Sequence, residues 1–417
     1  MRILIITNEV PFPPTSGASL RTYNVLRRLA RDCEVYLVAF SATKEQRGGV
    51  AHLLEFCREV VTVRRRSLKE AVHLGKVVTS MLQGEPPELR LAFSQELARE
   101  IQRLTDRVDF DIVQIEHGSM GMYLEALPAR LRKRAVWVLH DIDFDKFRRI
   151  AHVERRKPAK LRARMHAFTM RRWQPHFASL FGLCVAMSEA DRRLLLSANP
   201  SLRVEVSPNG VDINRCNPLP DEGDTPEVLF IGNMAYQPNV DAAVYFCREV
   251  LPLIRSKLPD AKLWIVGIDP GADVRRLEGN GVFVTGCVSD IVPYYKRSKV
   301  CVVPLRAGSG TRLKVLEAMA FGRPVVSTSI GCEGLDVVDG DHILVADGSK
   351  LFAEQTIRLL RHKELRTRLA AKAREFVVAS YDWDVIAGKL MNDFERITGQ
   401  ERSVDCYVNR QMADVYR

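Results

Sequence analysis

Short apolar runs typical of β-strands alternate with longer helical stretches along nearly the whole chain, and this alternation limits the folds open to it. A predominantly apolar run of four to six residues fits a strand buried on both faces, as in parallel sheets covered by helices. The predicted strands lie at 3–6, 35–40, 60–63, 112–115, 136–139, 183–187, 204–206, 228–232, 263–266, 282–285, 300–303, 325–327 and 343–345. The pattern predicts an α/β protein built from doubly wound parallel sheets.

The length of 417 residues exceeds one ordinary hydrophobic core and predicts two domains. A turn-rich stretch at 208–220 separates the first seven runs from the last six. We therefore place one domain at 1–207 and a second at 208–382. A helix is predicted over 352–378 and a last amphipathic helix over 383–397, and the tail at 400–417 has no assigned role.

The stretch from Gly308 to Thr328 carries the strongest chemical signal. A Gly-Ser-Gly turn that opens a helix lets backbone N–H groups converge on an anion, and the helix N-terminus adds positive potential. Arg312 and Lys314 place two cations there, and the carboxylate of Glu317 lies further along the helix. Backbone donors with two cations suit a diphosphate, and the carboxylate suits the hydroxyls of a ribose. A glycine turn with two solvated cations remains the alternative.

The whole string, with its Ala-Met-Ala-Phe-Gly-Arg-Pro-Val-Val tail after Glu317, resembles the donor-site signature of the retaining GT-B glycosyltransferases of family 4. The resemblance extends over nearly the whole chain, through the segments 13–17, 185–191, 207–212, 230–234, 238–241 and 380–383. It implies two Rossmann-like doubly wound domains facing a cleft. The first would be the acceptor-side domain, with the helix at 383–399 packing back on it, and the second the nucleotide-sugar donor domain.

The resemblance also implies site residues. Ligands bind doubly wound sheets beyond the carboxyl ends of the strands. Together with the resemblance, this position predicts donor binding by Gly17, Asn209, Gly232, Asn233, Gly286, Val288, Gly308, Ser309, Gly310, Thr311, Arg312, Lys314 and Glu317. The resemblance assigns roles in the transfer to His140, Arg312, Lys314 and Glu317. A capping or core histidine remains the alternative for His140, and Glu116 with His117 form a weaker candidate pair.

Two departures from the family pattern affect the donor site. Ser309 stands where the family's first glutamate contacts the transferred sugar, so the sugar cannot be carried over from the family. The neutral residues Asn233 and Asn239 stand where many members have an arginine and a lysine that hold the diphosphate. We hypothesise that Arg312 and Lys314 supply this charge from the opposite loop.

The predicted function is transfer of a sugar from a nucleotide-diphosphate sugar to a glycan, lipid-linked or polysaccharide-precursor acceptor, with retention and without a metal. Asp141-Ile-Asp143 imitates the metal motif of GT-A enzymes, but the tandem sheets belong to the other architecture. No cofactor is expected beyond the donor substrate. A nucleotide-sugar epimerase on the same fold, a non-catalytic homologue and a nucleic-acid-binding protein remain alternatives.

Positive charge is concentrated in the first half, where residues 1–220 hold 36 Lys and Arg against 24 Asp and Glu. Between Lys146 and Arg172 there are eleven Lys or Arg and one acid, with Leu161, Met165 and Phe168 on one helical face. This pattern favours docking on an anionic membrane surface, and a solvated basic helix is the alternative. No nucleic-acid motif accompanies the basic pI of 9.3, so nucleic acid is not an expected partner.

The nine cysteines are scattered without a Cys-x-x-Cys pair, which argues for a reducing compartment. The opening residues predict a first strand instead of a signal peptide. We expect a cytoplasmic protein, peripheral on the inner face of the plasma membrane.

Overall fold

The computed structural model describes residues 1–14, 16–41, 44–65, 86, 89–90, 93–153, 157–221, 225–308 and 312–399. The chain divides into two compact units. Unit 1 runs from Met1 to Pro208 and takes up the chain again from Trp383, and unit 2 is Asn209–Asp382. Among the described residues, no helix is long and apolar enough to cross a membrane.

Unit 1 contains a seven-stranded parallel sheet in the order β3-β2-β1-β4-β5-β6-β7. Its strands are β1 (Arg2–Thr7), β2 (Glu34–Ser41), β3 (Glu59–Arg64), β4 (Ile112–Glu116), β5 (Ala135–Leu139), β6 (Leu183–Ala186) and β7 (Val204–Val206). The helices along this part of the chain are α1 (Gly17–Leu29), α2 (Lys44–Leu53), α3 (Gln95–Arg107), α4 (Ala129–Arg132), α5 (Asp143–Val153), α6 (Lys157–Ala178) and α7 (Glu189–Ala198).

Helices cover both faces of this sheet because successive side chains of a strand point to opposite faces. Leu4 and Ile6 of β1 join one core cluster, whereas Ile3 and Ile5 join another. All four side chains are fully buried. An alternation of apolar residues with polar ones would have left one face open to water, so the continuous apolar run accounts for the double layer of helices.

Unit 2 contains a six-stranded parallel sheet in the order β10-β9-β8-β11-β12-β13. Its strands are β8 (Glu227–Ile231), β9 (Lys262–Val266), β10 (Val282–Val284), β11 (Val300–Val303), β12 (Val325–Ser327) and β13 (Leu344–Val345). Its helices are α8 (Gln237–Tyr245), α9 (Leu251–Arg255), α10 (Ala272–Arg275), α11 (Val292–Arg297), α12 (Leu313–Ala320), α13 (Ser349–Arg361) and α14 (Lys363–Tyr381). A π-helical turn at Phe246–Val250 joins α8 to α9.

The last helix, α15 (Trp383–Thr398), belongs to unit 1. Trp383, Ile386 and Phe394 are buried in the same cluster as Leu26 of α1. The guanidinium of Arg28 adds an ion pair to Asp384, with 2.6 Å between Nε and Oδ1. The apolar face of this amphipathic helix is therefore buried in the core of unit 1.

The fold-class prediction of two doubly wound parallel-sheet domains is confirmed, and each predicted apolar run forms a strand. The single helix predicted over 352–378 is wrong. His362 has an extended backbone with φ of −110° and ψ of 94°, and it divides this segment into α13 and α14. The residues at the break, 361–364, are Arg-His-Lys-Glu, which are polar but include neither glycine nor proline, so no breaker signal revealed it.

Candidate functional site

The first candidate site lies at the carboxyl ends of β8 and β11 in unit 2. These strands are neighbours, but the chain continues from β8 to β9 on one side and from β11 to β12 on the other. Such a switch in strand order opens a crevice in which ligands bind doubly wound sheets. Gly232 follows β8, and the loop containing Gly308 follows β11. The sequence therefore brings two of its predicted binding segments to one place.

Lys314, on the first turn of α12, extends across this crevice to the β8 side. Its Nζ donates a hydrogen bond to Oδ1 of Asn239 at 2.7 Å and lies 4.7 Å from the ring centre of Phe230. A Cβ added to Gly232 would approach Nζ to 2.8 Å, so the absence of a side chain there leaves room for the ammonium. Burial, with the neighbouring charge of Arg312, lowers the pKa of Lys314 to about 7.

Arg312 immediately precedes α12 and is buried. Its Nε and Nη2 each donate to the carbonyl oxygen of Ile330 at 3.3 Å. Gly308, with φ of 124°, lies against the same guanidinium, since a Cβ there would be 3.2 Å from Nη1 of Arg312. Arg312 thus lies beside Gly308, whereas the ammonium of Lys314 lies beside Gly232. Three further residues of the predicted glycine turn, Ser309, Gly310 and Thr311, lie outside the described residues.

The two asparagines that replace the family's cations hold this arrangement in place. Nδ2 of Asn239 donates to the carbonyl oxygen of Asn233 at 2.8 Å, which leaves Oδ1 of Asn239 to accept from Lys314. Oδ1 of Asn233 accepts from the backbone N–H of Ala235 at 2.8 Å. The side chain of Lys314 therefore contacts Asn239, one of the two neutral residues that replace the family's cations. Its contact with a diphosphate stays a prediction.

Glu317 lies on the next turn of α12. Its Oε2 accepts a hydrogen bond from the hydroxyl of Tyr295 at 3.0 Å. Burial raises the pKa of Glu317, and the hydrogen bond from Tyr295 and the charge of Arg215 only partly oppose this. Tyr295 was not predicted as a site residue. It lies on α11, and no local sequence pattern links this tyrosine to Glu317.

The remaining predicted donor residues lie on several elements. Gly286 follows β10 with φ of 71°, and its carbonyl accepts from the N–H of Gly267 at 3.2 Å. Val288 lies in the same loop, and Oδ1 of Asn209 is buried without a hydrogen-bond partner among the described residues. Gly17 is the first residue of α1 in unit 1, whereas the other predicted donor residues belong to unit 2.

A second cluster lies at the carboxyl ends of β4 and β5 in unit 1. Glu116 is fully buried and accepts hydrogen bonds from Nε2 of His140, at 2.5 Å, and from Nε2 of Gln114. Burial alone would favour the neutral acid. The hydrogen bond from His140, with the charges of His140 and Arg21, outweighs burial and lowers the pKa of Glu116 to about 2. The ionised carboxylate fixes the tautomer in which Nε2 of His140 carries hydrogen.

His117 stacks on His140 with 4.1 Å between ring centres. Burial and the neighbouring His140 lower the pKa of His117 to about 3, so this ring is neutral at physiological pH. Several buried polar atoms around this cluster have no hydrogen-bond partner among the described residues. They are Oγ1 of Thr7, Oδ1 of Asn8, Nε of Arg21, Oγ1 of Thr22, Oε1 of Gln114 and Nε2 of His117. A polyhydroxylated ligand offers donors and acceptors of this kind.

The Asp-x-Asp motif differs from a metal site in its contacts. Oδ2 of Asp141 accepts from Nζ of Lys146 at 2.7 Å. Burial raises the pKa of Asp143 to about 6, which weakens it as an anionic ligand. In the described part of the chain, no group of three or more His, Cys, Asp or Glu is placed to hold a metal ion.

Two family profiles match this chain, one in each part of it. A profile described as Glycosyltransferase Family 4 matches residues 15–215, and one described as Glycosyl transferases group 1 matches residues 225–362. Each profile thus lies almost wholly within one structural unit.

Curated relatives match over shorter segments. A phosphatidyl-myo-inositol mannosyltransferase of Mycobacterium tuberculosis is 30% identical over 238 residues, which is 53% of this chain and 61% of the relative. An uncharacterized 44.6 kDa protein in the cps region of Klebsiella pneumoniae is 28% identical over 180 residues, which is 41% of this chain and 44% of the relative. The chain thus spans about half the length of these relatives.

Solved structures match over almost the entire chain. Sucrose-phosphate synthase from Thermosynechococcus elongatus superposes with a TM-score of 0.69 at 17% identity, covering 96% of this chain and all of that structure. Anabaena HepE in complex with UDP and glucose gives a TM-score of 0.64 at 16% identity, covering 95% of this chain and all of that structure. WaaG, a glycosyltransferase involved in lipopolysaccharide biosynthesis, gives 0.62 at 14% identity, covering 94% of this chain and 99% of WaaG. These likenesses confirm the predicted GT-B fold.

Proposed function

The chain belongs to the family 4 glycosyltransferases, and from this premise we propose that it transfers a sugar from a nucleotide-diphosphate sugar to a glycan or lipid-linked acceptor. One observation carries the proposal. Lys314 and Arg312 approach the crevice at the β8–β11 switch point from a single turn, and Asn239 directs the ammonium toward Gly232. Two neighbouring cations at the start of a helix, one beside Gly308 and one beside Gly232, suit a diphosphate.

Catalysis at such a site follows from where charge develops. As the bond between the sugar and the phosphate breaks, negative charge grows on the departing nucleoside diphosphate and the sugar acquires positive charge. Fixed cations that contact the diphosphate stabilise this transition state more than the bound substrate, which accelerates the reaction. Lys314 and Arg312 would fill this role. Glu317, held by Tyr295, would accept hydrogen bonds from the ribose.

We assign contact with the transferred sugar to His140. Glu116 accepts a hydrogen bond from the Nε2–H of this imidazole, which leaves Nδ1 to bind a sugar hydroxyl, as an acceptor in the neutral ring or as a donor in the imidazolium. The unpartnered polar atoms of Thr7, Asn8 and Thr22 would bind further hydroxyls of the sugar or the acceptor. Retention of configuration is carried over from the family resemblance. Since the two cations can balance the charge of the diphosphate, we expect the transfer to resist EDTA.

The acceptor class is supported by the relatives. The mycobacterial relative is named for phosphatidyl-myo-inositol, and WaaG acts in lipopolysaccharide biosynthesis. Donor binding is supported by HepE, whose structures contain UDP and UDP-glucose. A lipid-linked or polysaccharide-precursor acceptor is therefore our proposal for this chain.

The decisive experiment is a binding and slow-hydrolysis screen of purified protein against a panel of nucleotide sugars. We expect one donor to be selected by the wild type and its binding to fall at least about tenfold in Glu317→Ala, because a hydrogen bond to a charged group contributes roughly 1.5–3 kcal/mol. Glu354→Ala is the matched control, since Glu354 is an exposed glutamate of α13 in the same unit.

Product analysis separates transfer from the alternatives. Sugar released as the free hexose, or moved onto an added acceptor, supports a transferase. A nucleotide sugar of altered configuration would instead indicate an epimerase. If neither nucleotide sugars nor free nucleotides bind, the proposed function is wrong and a non-catalytic role is favoured.

A further inference from the structure

The outer face of α6, in unit 1, exposes three large apolar side chains. Leu161, Met165 and Phe168 are 60%, 59% and 63% exposed, and they follow one another at helical spacing along one stripe. Each of these apolar side chains therefore remains mostly in water. The opposite face of the same helix is buried through Ala163, Met170 and other residues that pack into the unit.

Cations surround the apolar stripe. The 22-residue helix contains no Asp or Glu, and its basic side chains are Lys157, Lys160, Arg162, Arg164, Arg171 and Arg172. The guanidinium of Arg172 lies 5.0 Å from the ring centre of Phe168, so one cation sits directly at the end of the stripe. We name the exposed residues Leu161, Arg162, Arg164, Met165, Phe168, Arg171 and Arg172 the α6 face.

This combination indicates what the α6 face binds. Exposed apolar side chains alone would suit a second protein surface, and cations alone would suit any polyanion. An apolar stripe flanked by cations along a helix of about 33 Å matches an anionic bilayer, in which apolar groups enter the acyl boundary while cations meet the headgroups. Phe168 and Leu161 are the side-chain types that insert at such an interface.

We propose that the α6 face docks unit 1 on an anionic lipid bilayer, with α6 lying in the plane of the membrane. The helix is anchored to the unit by its buried face, so docking requires no unfolding. The proposal rests on this surface alone and does not depend on which sugar the protein transfers. It gives a lipid-linked acceptor a route to the protein from the membrane surface.

The test is flotation of the full chain with lipid vesicles. One set of vesicles is phosphatidylcholine alone, and the other contains about 30 mol% of the anionic lipid phosphatidylglycerol. We expect binding only to the anionic vesicles, weakening as salt rises. Arg162→Gln with Arg164→Gln should weaken binding roughly thirtyfold, given the contribution of each basic residue near such a surface. Leu161→Ser, Met165→Ser and Phe168→Ser combined should weaken it at least about tenfold.

Matched controls separate docking from folding. Leu54 and Val338 are exposed to similar extents, 50% and 52%, and lie outside the α6 face, so Leu54→Ser with Val338→Ser should leave vesicle binding unchanged. Thermal melting and nucleotide binding should be the same in all variants. Failure of nucleotide binding in the wild type would overturn the proposed function while leaving the vesicle result valid.

Three outcomes would overturn the docking proposal. The first is equal binding of the wild type and both α6-face variants to anionic vesicles. The second is no vesicle binding together with a dimer that the apolar variant converts to monomer, which would make the α6 face an interface between copies. The third is salt-sensitive binding to a DNA duplex without binding to vesicles.

Discussion

Lys314 is a lysine whose pKa lies close to neutral pH. Burial lowers its pKa to about 7, whereas the ordinary value is 10.5. Within the described ranges its ammonium has one hydrogen bond, to Asn239, so two N–H groups are left there to contact a ligand. A bound diphosphate would raise this pKa, because an adjacent opposite charge favours the charged form.

Nucleotide affinity should therefore fall as pH rises above 7. Below about 7 the lysine is already protonated in the free protein, so the affinity is independent of its titration. Above that pH the ligand must recruit a proton, and affinity should drop about tenfold per pH unit between 7.5 and 9. Calorimetry in buffers of different ionisation enthalpy should detect uptake of one proton at pH 8.5.

The control for this titration is Lys314→Arg, because a guanidinium keeps its charge throughout this range. Its nucleotide affinity should vary little between pH 7.5 and 9. A flat profile in the wild type would show that the ammonium of Lys314 is not the group that meets the diphosphate.

In the Glu116–His140 pair, the carboxylate determines the orientation and the tautomer of the imidazole. In Glu116→Gln the amide can accept from or donate to the imidazole, so the ring is no longer held with hydrogen on Nε2. We expect turnover to fall about 10²–10⁴-fold, within the range for a misplaced acid–base group, while nucleotide affinity is unchanged. ¹⁵N spectra of histidine-labelled protein should show one tautomer for His140 in the wild type and a mixture in the variant.

His176 is an exposed histidine of α6 and serves as the internal reference in these spectra. If turnover falls while the tautomer of His140 does not change, Glu116 would be supporting the fold and not positioning the imidazole. If neither changes, the pair has no role in the reaction.

At the scale of elements, the sequence determined the strands better than the helices. Most strands are buried apolar runs that end where polar or turn residues begin, so their identity is local. The break at His362 and the 3₁₀ segment Gly118–Ala126 depend on packing that local periodicity does not encode. The same limit applies to the candidate sites. The predicted strand ends located Lys314 and His140. Their contacts with Asn239 and Glu116 were not predicted, because they join residues 75 and 24 positions apart.

The ends of β8 and β9 approach each other so closely that Gly267 has no room for a side chain. A Cβ there would lie 1.7 Å from the carbonyl oxygen of Gly232, and φ of 153° is unfavourable for other residues. Gly267→Ala should destabilise unit 2 by at least about 2 kcal/mol and weaken nucleotide binding, because Gly232 must move away from Lys314. Chemical denaturation and nucleotide titration would measure the two effects.

Gly271→Ala is the matched control, since a Cβ at Gly271 meets nothing within 4 Å and its φ is −68°. This substitution should leave both stability and nucleotide affinity within experimental error. Equal behaviour of the two variants would mean that the close approach of β8 and β9 is not required for the site.

At the scale of the whole molecule, the two units carry different parts of the proposed chemistry. The diphosphate and ribose determinants lie in unit 2, apart from Gly17, and His140 lies in unit 1. The excess positive charge and the α6 face also belong to the first part of the chain. The sequence predicts this division of roles because charge and motifs are local properties.

Hydrogen exchange should separate these contributions. A bare nucleoside diphosphate should protect amides around Gly232 and along α12, because ligand contacts suppress local opening. Amides following Glu116 and His140 should gain protection only when the selected nucleotide sugar replaces the diphosphate, since we assign the ribose hydroxyls to Glu317 and the transferred sugar to His140. Lys314→Met should abolish the first change at the same ligand concentration. Protection near His140 by the bare nucleoside diphosphate would instead place the diphosphate, not the sugar, at the β4–β5 edge and would reverse the roles we assign to the two sites.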